Sequence, residues 1–236
     1  MSRFHLLLAF ALSVAVSLVA FAPLGLAARI GPWPDGLNVR QVEGPLWGGQ
    51  LTGVRWKGQA FDSVDAALHP LSWTWGIPRL ALQAGGLEVA LSGGRVQGLH
   101  SADGPIELAP SSTWSGLALT AQADGLQVLF ADGRCLRAGG TLQVQAEGAA
   151  IPGDTVQLAG PARCDGEEAR IDLSPTQPTP GQPEVRADVR LSADGRYRAA
   201  VRVVSQDPQV IAALALAEFQ PGPGGASRVV EGRLGD

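Results

Sequence analysis

The chain has 236 residues, with 18 Lys and Arg against 22 Asp and Glu and a formal net charge of -4, so it offers no basic surface of the kind that tracks nucleic-acid phosphates. Apolar residues make up 45%, too many for a chain that stays unfolded. Gly (31) and Pro (17) are abundant without the strict period of collagen, and the length suits one domain, or one domain plus an anchor.

From Leu6 to Ala28 the chain runs 23 residues without a charge. A helix of that length crosses a hydrocarbon core of about 30 Å. We read residues 1–5 as a cytoplasmic end, 6–28 as a transmembrane anchor and 29–236 as a β domain beyond the membrane. Two other readings stay open: a cleaved signal peptide, with Gly25 and Ala27 as the small residues before the cut, and a buried core helix. The run exceeds the usual signal-peptide core of about 7–15 residues. Pro23 stands late in it, where it can end or bend a helix. Arg3 and the amino terminus against Arg29 give a mild vote for the N-terminus inside.

A Pro-containing neck, "RIGPWPDG", leads into "LNVRQVEGPLWGGQLTGVRW" at residues 37–56. Short apolar–polar alternation cut by Gly44, Gly48, Gly49 and Gly53 reads as strand, turn, strand. Leu80 and Leu82 lie two apart before a Gly85–Gly86 turn, and Leu87, Val89 and Leu91 after it, so each set shares a strand face. Leu142 and Val144 repeat the pattern, while Gln143 and Gln145 point away. A Pro-rich break at 175–183 reads as a loop. The clearest hairpin follows: Val185, Ala187, Val189 and Leu191 on one face, a turn at Asp194–Gly195, then Tyr197, Ala199, Val201 and Val203. Asp207 to Phe219 breaks the two-residue period and reads as a short helix capped by Asp207, with Pro208 in its first turn. Isolated glycines such as Gly44 and Gly160 suit bulges or sharp curvature. The expected fold is all-β: a curved, largely antiparallel sheet of roughly twelve to fourteen strands, open or barrel-like, with one short C-terminal helix and the preceding transmembrane helix.

The candidate chemistry is sparse. Three histidines, His5, His69 and His100, stand apart from one another and from cysteine, which argues against a zinc site. Neither a phosphate loop ending in Lys-Ser/Thr nor a Gly-x-Ser-x-Gly elbow occurs. Six of the thirteen aspartates, Asp35, Asp103, Asp124, Asp132, Asp165 and Asp194, precede a glycine, as turn residues do. We expect no enzyme, no cofactor, no metal and no small-molecule substrate. The two cysteines, Cys135 and Cys164, lie 29 apart at Gly-rich turns. A structural disulfide in an oxidising compartment is the expected reading, with two unpaired thiols or a transient redox pair as the alternatives; a redox pair would ordinarily be Cys-x-x-Cys. Six of the thirteen aromatics are Trp. Trp47 and Trp56 flank a predicted hairpin, and Trp73 and Trp75 share a face, where they plug the end of the sheet or meet a membrane interface or a partner. Trp33, just past the apolar run, suits an interfacial belt.

At "VEGPLWGGQLTGVRWKG", residues 42–58, the chain resembles the type II secretion system protein N family, whose signature is Gly-x-Leu-Trp-x-Gly. "DSVDAALHPLSWTWGIPRLAL", "LAGPARCDGEEARIDLSP" and "DGRYRAAVRVVSQDPQVIAALALAEFQP" are similar to further stretches of that family, in order. Gly44, Leu46, Trp47 and Gly48 match the signature, and Cys135 and Cys164 match its paired cysteines. Pro45 stands where Thr or Ser is commoner, which predicts a lost hairpin rung; Glu167 replaces an expected small residue. The resemblance implies a single-pass inner-membrane protein with its bulk in the periplasm. It would be a non-catalytic accessory part of the apparatus that exports folded proteins across the outer membrane, with inner-membrane platform proteins or the secretin as partners. A periplasmic lipid-binding or lipid-shuttling protein with an apolar β groove is the alternative.

Overall fold

The apolar–polar alternation becomes antiparallel sheet almost throughout. The computed structural model describes residues 10, 13–14, 17, 21–25, 37–56, 59–69, 72, 76–108, 118–147, 155–177 and 183–234. The anchor read over 6–28 falls mostly outside them, and no helix among the described residues is long and apolar enough to cross a membrane. They form two units, divided between Ala84 and Gly85.

The N-terminal unit holds β1 (Leu37–Asn38), β2 (Gln41–Glu43), β3 (Gly49–Trp56), β4 (Gln59–Leu68) and β5 (Arg79–Ala84). β3 and β4 form a hairpin running from Gly49↔Ala66 to Trp56↔Gln59, and β5 continues it with Leu68↔Leu80 to Asp65↔Gln83. The outer side of β3 is taken by β1, with Leu37↔Trp56, and by β2, with Val42↔Leu51. Trp47 and Trp56 therefore bracket one strand, β3, rather than a hairpin.

The C-terminal unit holds β6 (Leu87–Ser92), β7 (Val96–Leu108), β8 (Ala118–Ala131), β9 (Arg134–Glu147), β10 (Thr155–Asp165), β11 (Glu168–Pro175), β12 (Glu184–Leu191), β13 (Arg196–Val204), helix α1 (Pro208–Leu216), β14 (Gln220–Gly222) and β15 (Gly225–Arg233). Strands β6 to β13 pair in chain order, followed by β15 and then β14. This sheet does not close on itself. Register sorts its side chains cleanly. Val185, Ala187, Val189 and Leu191 face Val203, Val201, Ala199 and Tyr197, and Leu173 and Ile171 join them through Ala187 and Val189. The intervening residues Arg186, Asp188 and Arg190 share the opposite face with Arg202, Ala200 and Arg198. Short runs of period two, read from sequence, thus add up to one apolar and one polar face.

The sheet of this unit is strongly curled at one end. Gln97 Nε2 donates to the Ala193 carbonyl at 3.2 Å, although β7 and β12 are five strands apart and would be about 24 Å apart in a flat sheet. Phe130, Val128 and Ala169 are buried there, with Leu99 and Leu191 packed against them. Gly160 serves the same curvature: a Cβ on it would lie 1.9 Å from the Asp172 carbonyl, so only glycine allows β10 to press on β11. At the other end α1 lays Leu214 over Val203 and Ala226, with Phe219 beside it. Asp207 caps it as expected, its Oδ1 accepting from Gln209 N at 2.8 Å. Glu218, at φ +63, ends it, and Arg228 Nη1 donates to the Ala217 carbonyl at 2.9 Å.

Candidate functional site

The family-like signature forms a cradle for the end of the N-terminal apolar run. Its irregular backbone begins at Gly44, whose φ of +88 is open to glycine and strained for other residues. A Cβ there would come within 2.9 Å of Gly49 Cα. The turn closes with Gly48 N donating to the Pro45 carbonyl at 3.2 Å. Into it comes the chain from residue 22: Leu24 N donates to the Gly44 carbonyl at 3.0 Å, and Leu46 N to the Ala22 carbonyl at 2.8 Å. Pro23 and Pro45 are partners in an isolated antiparallel bridge. Proline at 45 thus forfeits no rung, because its neighbours Gly44 and Leu46 supply the acceptor and the donor. Leu68 N donates to the Leu46 carbonyl at 3.2 Å, which ties the loop to the end of β4.

The side chain of Leu24 completes this unit's core. It is buried among Leu51, Val54, Val64 and Ala66, with Leu46 packed against the cluster. Gly49 makes the seat: a Cβ there would lie 2.5 Å from the Glu43 carbonyl and 2.7 Å from Leu24 Cδ2. Gly44 and Leu46 of the signature therefore have structural duties in the cradle, Trp47 is half-buried, and Gly48 is exposed with open space where a Cβ would stand. The sequence does not single out Leu24, and it marks Gly49 only as one of the glycines that cut the strand alternation. The Gly48–Gly49 doublet was the available signal, whereas nothing local to Leu24 distinguishes it from the other apolar residues of its run. Trp56 contributes its backbone to the end of β3; its side chain, together with Trp33, Trp73 and Trp75, lies outside the described residues.

The second predicted element is present as a disulfide. Cys135 and Cys164 are bridged, with their Cα atoms 5.6 Å apart. Both lie inside strands, near the start of β9 and the end of β10, rather than in the turns themselves. The β9–β10 ladder runs from Glu147↔Thr155 only as far as Thr141↔Pro161. Pro161 has no N–H to continue it, and Gly139 and Gly140 follow directly on the partner strand. The bridge, with Cys135 N donating to the Glu167 carbonyl at 3.0 Å, fastens the two strand ends where the ladder stops.

The polar face of β10–β12 carries an ionic network. Arg170 lies between three carboxylates: Asp188, which accepts from its Nε, Asp172 at 2.9 Å and Asp165 at 3.4 Å. Asp188 also receives Arg190 Nε at 3.0 Å, and Arg163 pairs with Asp172. The hydrogen bond to Asp188 raises the Arg170 pKa further. Burial pushes the Asp188 carboxyl up, but its hydrogen bonding to Arg190, Asp172 and Arg170 outweighs this and holds it below the ordinary carboxylate value. The register sets like charges directly opposite, Arg163 and Arg190 on either side of Arg170 and Asp188 beside Asp172, and the ion pairs run diagonally between strands and along them, tying the three strands together. Among the described residues, no group of three or more His, Cys, Asp or Glu could hold a metal ion.

The fold and site define an antiparallel β protein with a backbone cradle in its N-terminal unit and a disulfide where a ladder of its C-terminal unit stops. The profile of the family described as type II secretion system (T2SS), protein N, matches residues 35–229, and the chain belongs to that family. A type II secretion system protein N from Vibrio cholerae serotype O1 (strain ATCC 39315 / El Tor Inaba N16961) is 28% identical over 209 residues, covering 81% of this chain and 82% of the relative. No solved structure matches.

Proposed function

We propose that the protein is a non-catalytic scaffold of the type II secretion apparatus, held at the inner membrane by the part of the 6–28 run that precedes the Ala22–Leu24 seat, with its β units in the periplasm. The observation that carries this reading is the seat of Leu24 in the signature loop. It makes the last part of the apolar run a component of the folded unit, as a permanent anchor would be and a discarded leader would not. The oxidised Cys135–Cys164 pair supports a compartment outside the cytoplasm. Membership of a secretion-system family supports inner-membrane platform proteins or the secretin as partners.

The test is in-cell photocrosslinking from Gly48, which is exposed and has room for a side chain. Adducts whose partner is identified as a platform protein or the secretin support the scaffold. Adducts to lipid alone overturn it.

One observation favours a second reading, a periplasmic lipid carrier. The apolar face of the C-terminal unit is covered by α1 only near β13 and β15, and Leu119, Leu142, Val144 and Val156 on that face remain only half-buried. No described second layer packs over them. Solvent extraction of the purified full chain separates the readings: a stoichiometric lipid supports the carrier, and none supports the scaffold.

A further inference from the structure

The far edge of the C-terminal unit is open. β14 covers β15 only at Gly225 to Ser227, whereas β13 pairs with β15 along its whole length, from Gly225 to Arg233. Beyond Ser227 no described strand lies on the outer side of β15. Leu234 N donates to the Gly195 carbonyl at 2.7 Å, so even-numbered residues of β15 direct their backbone groups toward β13. Odd-numbered residues direct theirs the other way. The amides and carbonyls of Val229, Glu231 and Arg233 therefore point outward, a template for another strand. Val229 is 48% exposed and Leu234 62%.

We infer that this edge pairs antiparallel with the same edge of a second copy, about a two-fold axis at Gly232. The charges favour this occupant and set the register, although within each copy Glu231 also lies 3.4 Å from Arg198 and Arg233 Nε donates to the Asp194 carbonyl at 3.1 Å. Centring the pair on Glu231 would set Glu231 against Glu231 of the other copy, and like charges directly opposite are destabilising. Centring it on Val230 would set Val229 against Glu231 and gain no charge pairing. The register centred on Gly232 places Glu231 opposite Arg233 twice, once on each side of the axis. It also sets Val230 against the exposed Leu234 on the apolar face. Directly paired residues lie on one side of a sheet, so the apolar faces of the two copies become continuous. An isologous contact of this kind closes after two copies. It is short, well below the about 1,200 Å² of a stable complex, and belongs to chains held at high local concentration.

The test uses the full chain in membranes with paired cysteines. Val230→Cys and Leu234→Cys together place thiols opposite each other between copies. Within one strand the two positions are about 13 Å apart, too far to bridge. Mild oxidation is expected to give a covalent dimer from the double variant, at least tenfold more than from either single one. In that background Glu231→Arg alone sets Arg against Arg, and Arg233→Glu alone sets Glu against Glu, so each is expected to lose most of the dimer. Co-expressing the two restores complementary charges across both contacts and should recover it as a mixed dimer. The inference is overturned if the double variant crosslinks no better than the singles. It is also overturned if Val230→Cys alone crosslinks efficiently, if co-expression recovers nothing, or if the captured partner is a different protein. None of these outcomes bears on the secretion assignment, which rests on the family match, the Cys135–Cys164 bridge and the Leu24 seat rather than on this edge.

Discussion

The two units hold themselves together by different means. In the N-terminal unit a short irregular loop does the joining: Gly44 bends, Gly49 makes room, and Leu24 fills the space from more than twenty residues away in sequence. In the C-terminal unit regular alternation covers many strands, and a covalent bridge takes over where Pro161 and Gly139–Gly140 end a ladder. The contrast separates what a periodic pattern can build from what needs particular atoms. A repeated pattern tolerates many substitutions, each costing little. A cradle built on two glycines and one leucine does not.

That difference can be broken or sharpened experimentally, beginning with the bridge. Replacing both Cys135 and Cys164 by Ser should lower stability by about 3–4 kcal/mol, the loop-closure value for a 29-residue separation. Hydrogen exchange should show protection lost across β8–β11 while β3 and β4 keep theirs; equal loss in both units would erase the distinction. Leu24→Ala should cost about 2–3 kcal/mol by leaving a cavity among Leu51, Val54 and Val64. Its effect should be the reverse of the bridge's, with β3 and β4 exposed to exchange and β9–β11 unaffected.

Smaller effects probe the edges of the C-terminal unit. Asp207→Ala removes the acceptor for Gln209 N and should cost about 1 kcal/mol, read as earlier exchange in α1. The least effect is a pH dependence. The folded Asp188 carboxyl titrates below its ordinary value, so its contribution is present above the usual carboxylate range and is lost as pH falls through the folded value. Denaturation followed from neutral pH downward should show this loss below about pH 4, and Asp188→Asn should flatten it. A loss that begins above pH 6 would implicate other groups.

Much of the C-terminal unit was legible in the sequence. Val185 to Val203 alternates over two strands around Asp194–Gly195, and the structure pairs them as read. The period broke at Asp207, where α1 begins. Strand count was read slightly low because β1, β2 and β14 are two or three residues long, too short for any period to register. The curl was less accessible still. It depends on Gly160 pressing against Asp172 and on Gln97 reaching Ala193, contacts between residues distant in sequence. The signature was recognised as a set of residues, but its purpose was hidden, because its partner Leu24 belongs to a run whose uniform hydropathy points to membrane. Arg170 and Asp188 were passed over for a similar reason: each is an ordinary charged residue until register aligns three strands.

The account turns on residues up to Leu24 remaining part of the working protein, gripped by the Gly44–Gly49 loop. Intact-mass measurement of the chain purified from whole cells tests this most directly. The expected mass includes everything from the start of the run through Leu24; a mature chain beginning after Ala27 or Ala28, folded and active in secretion, would contradict it.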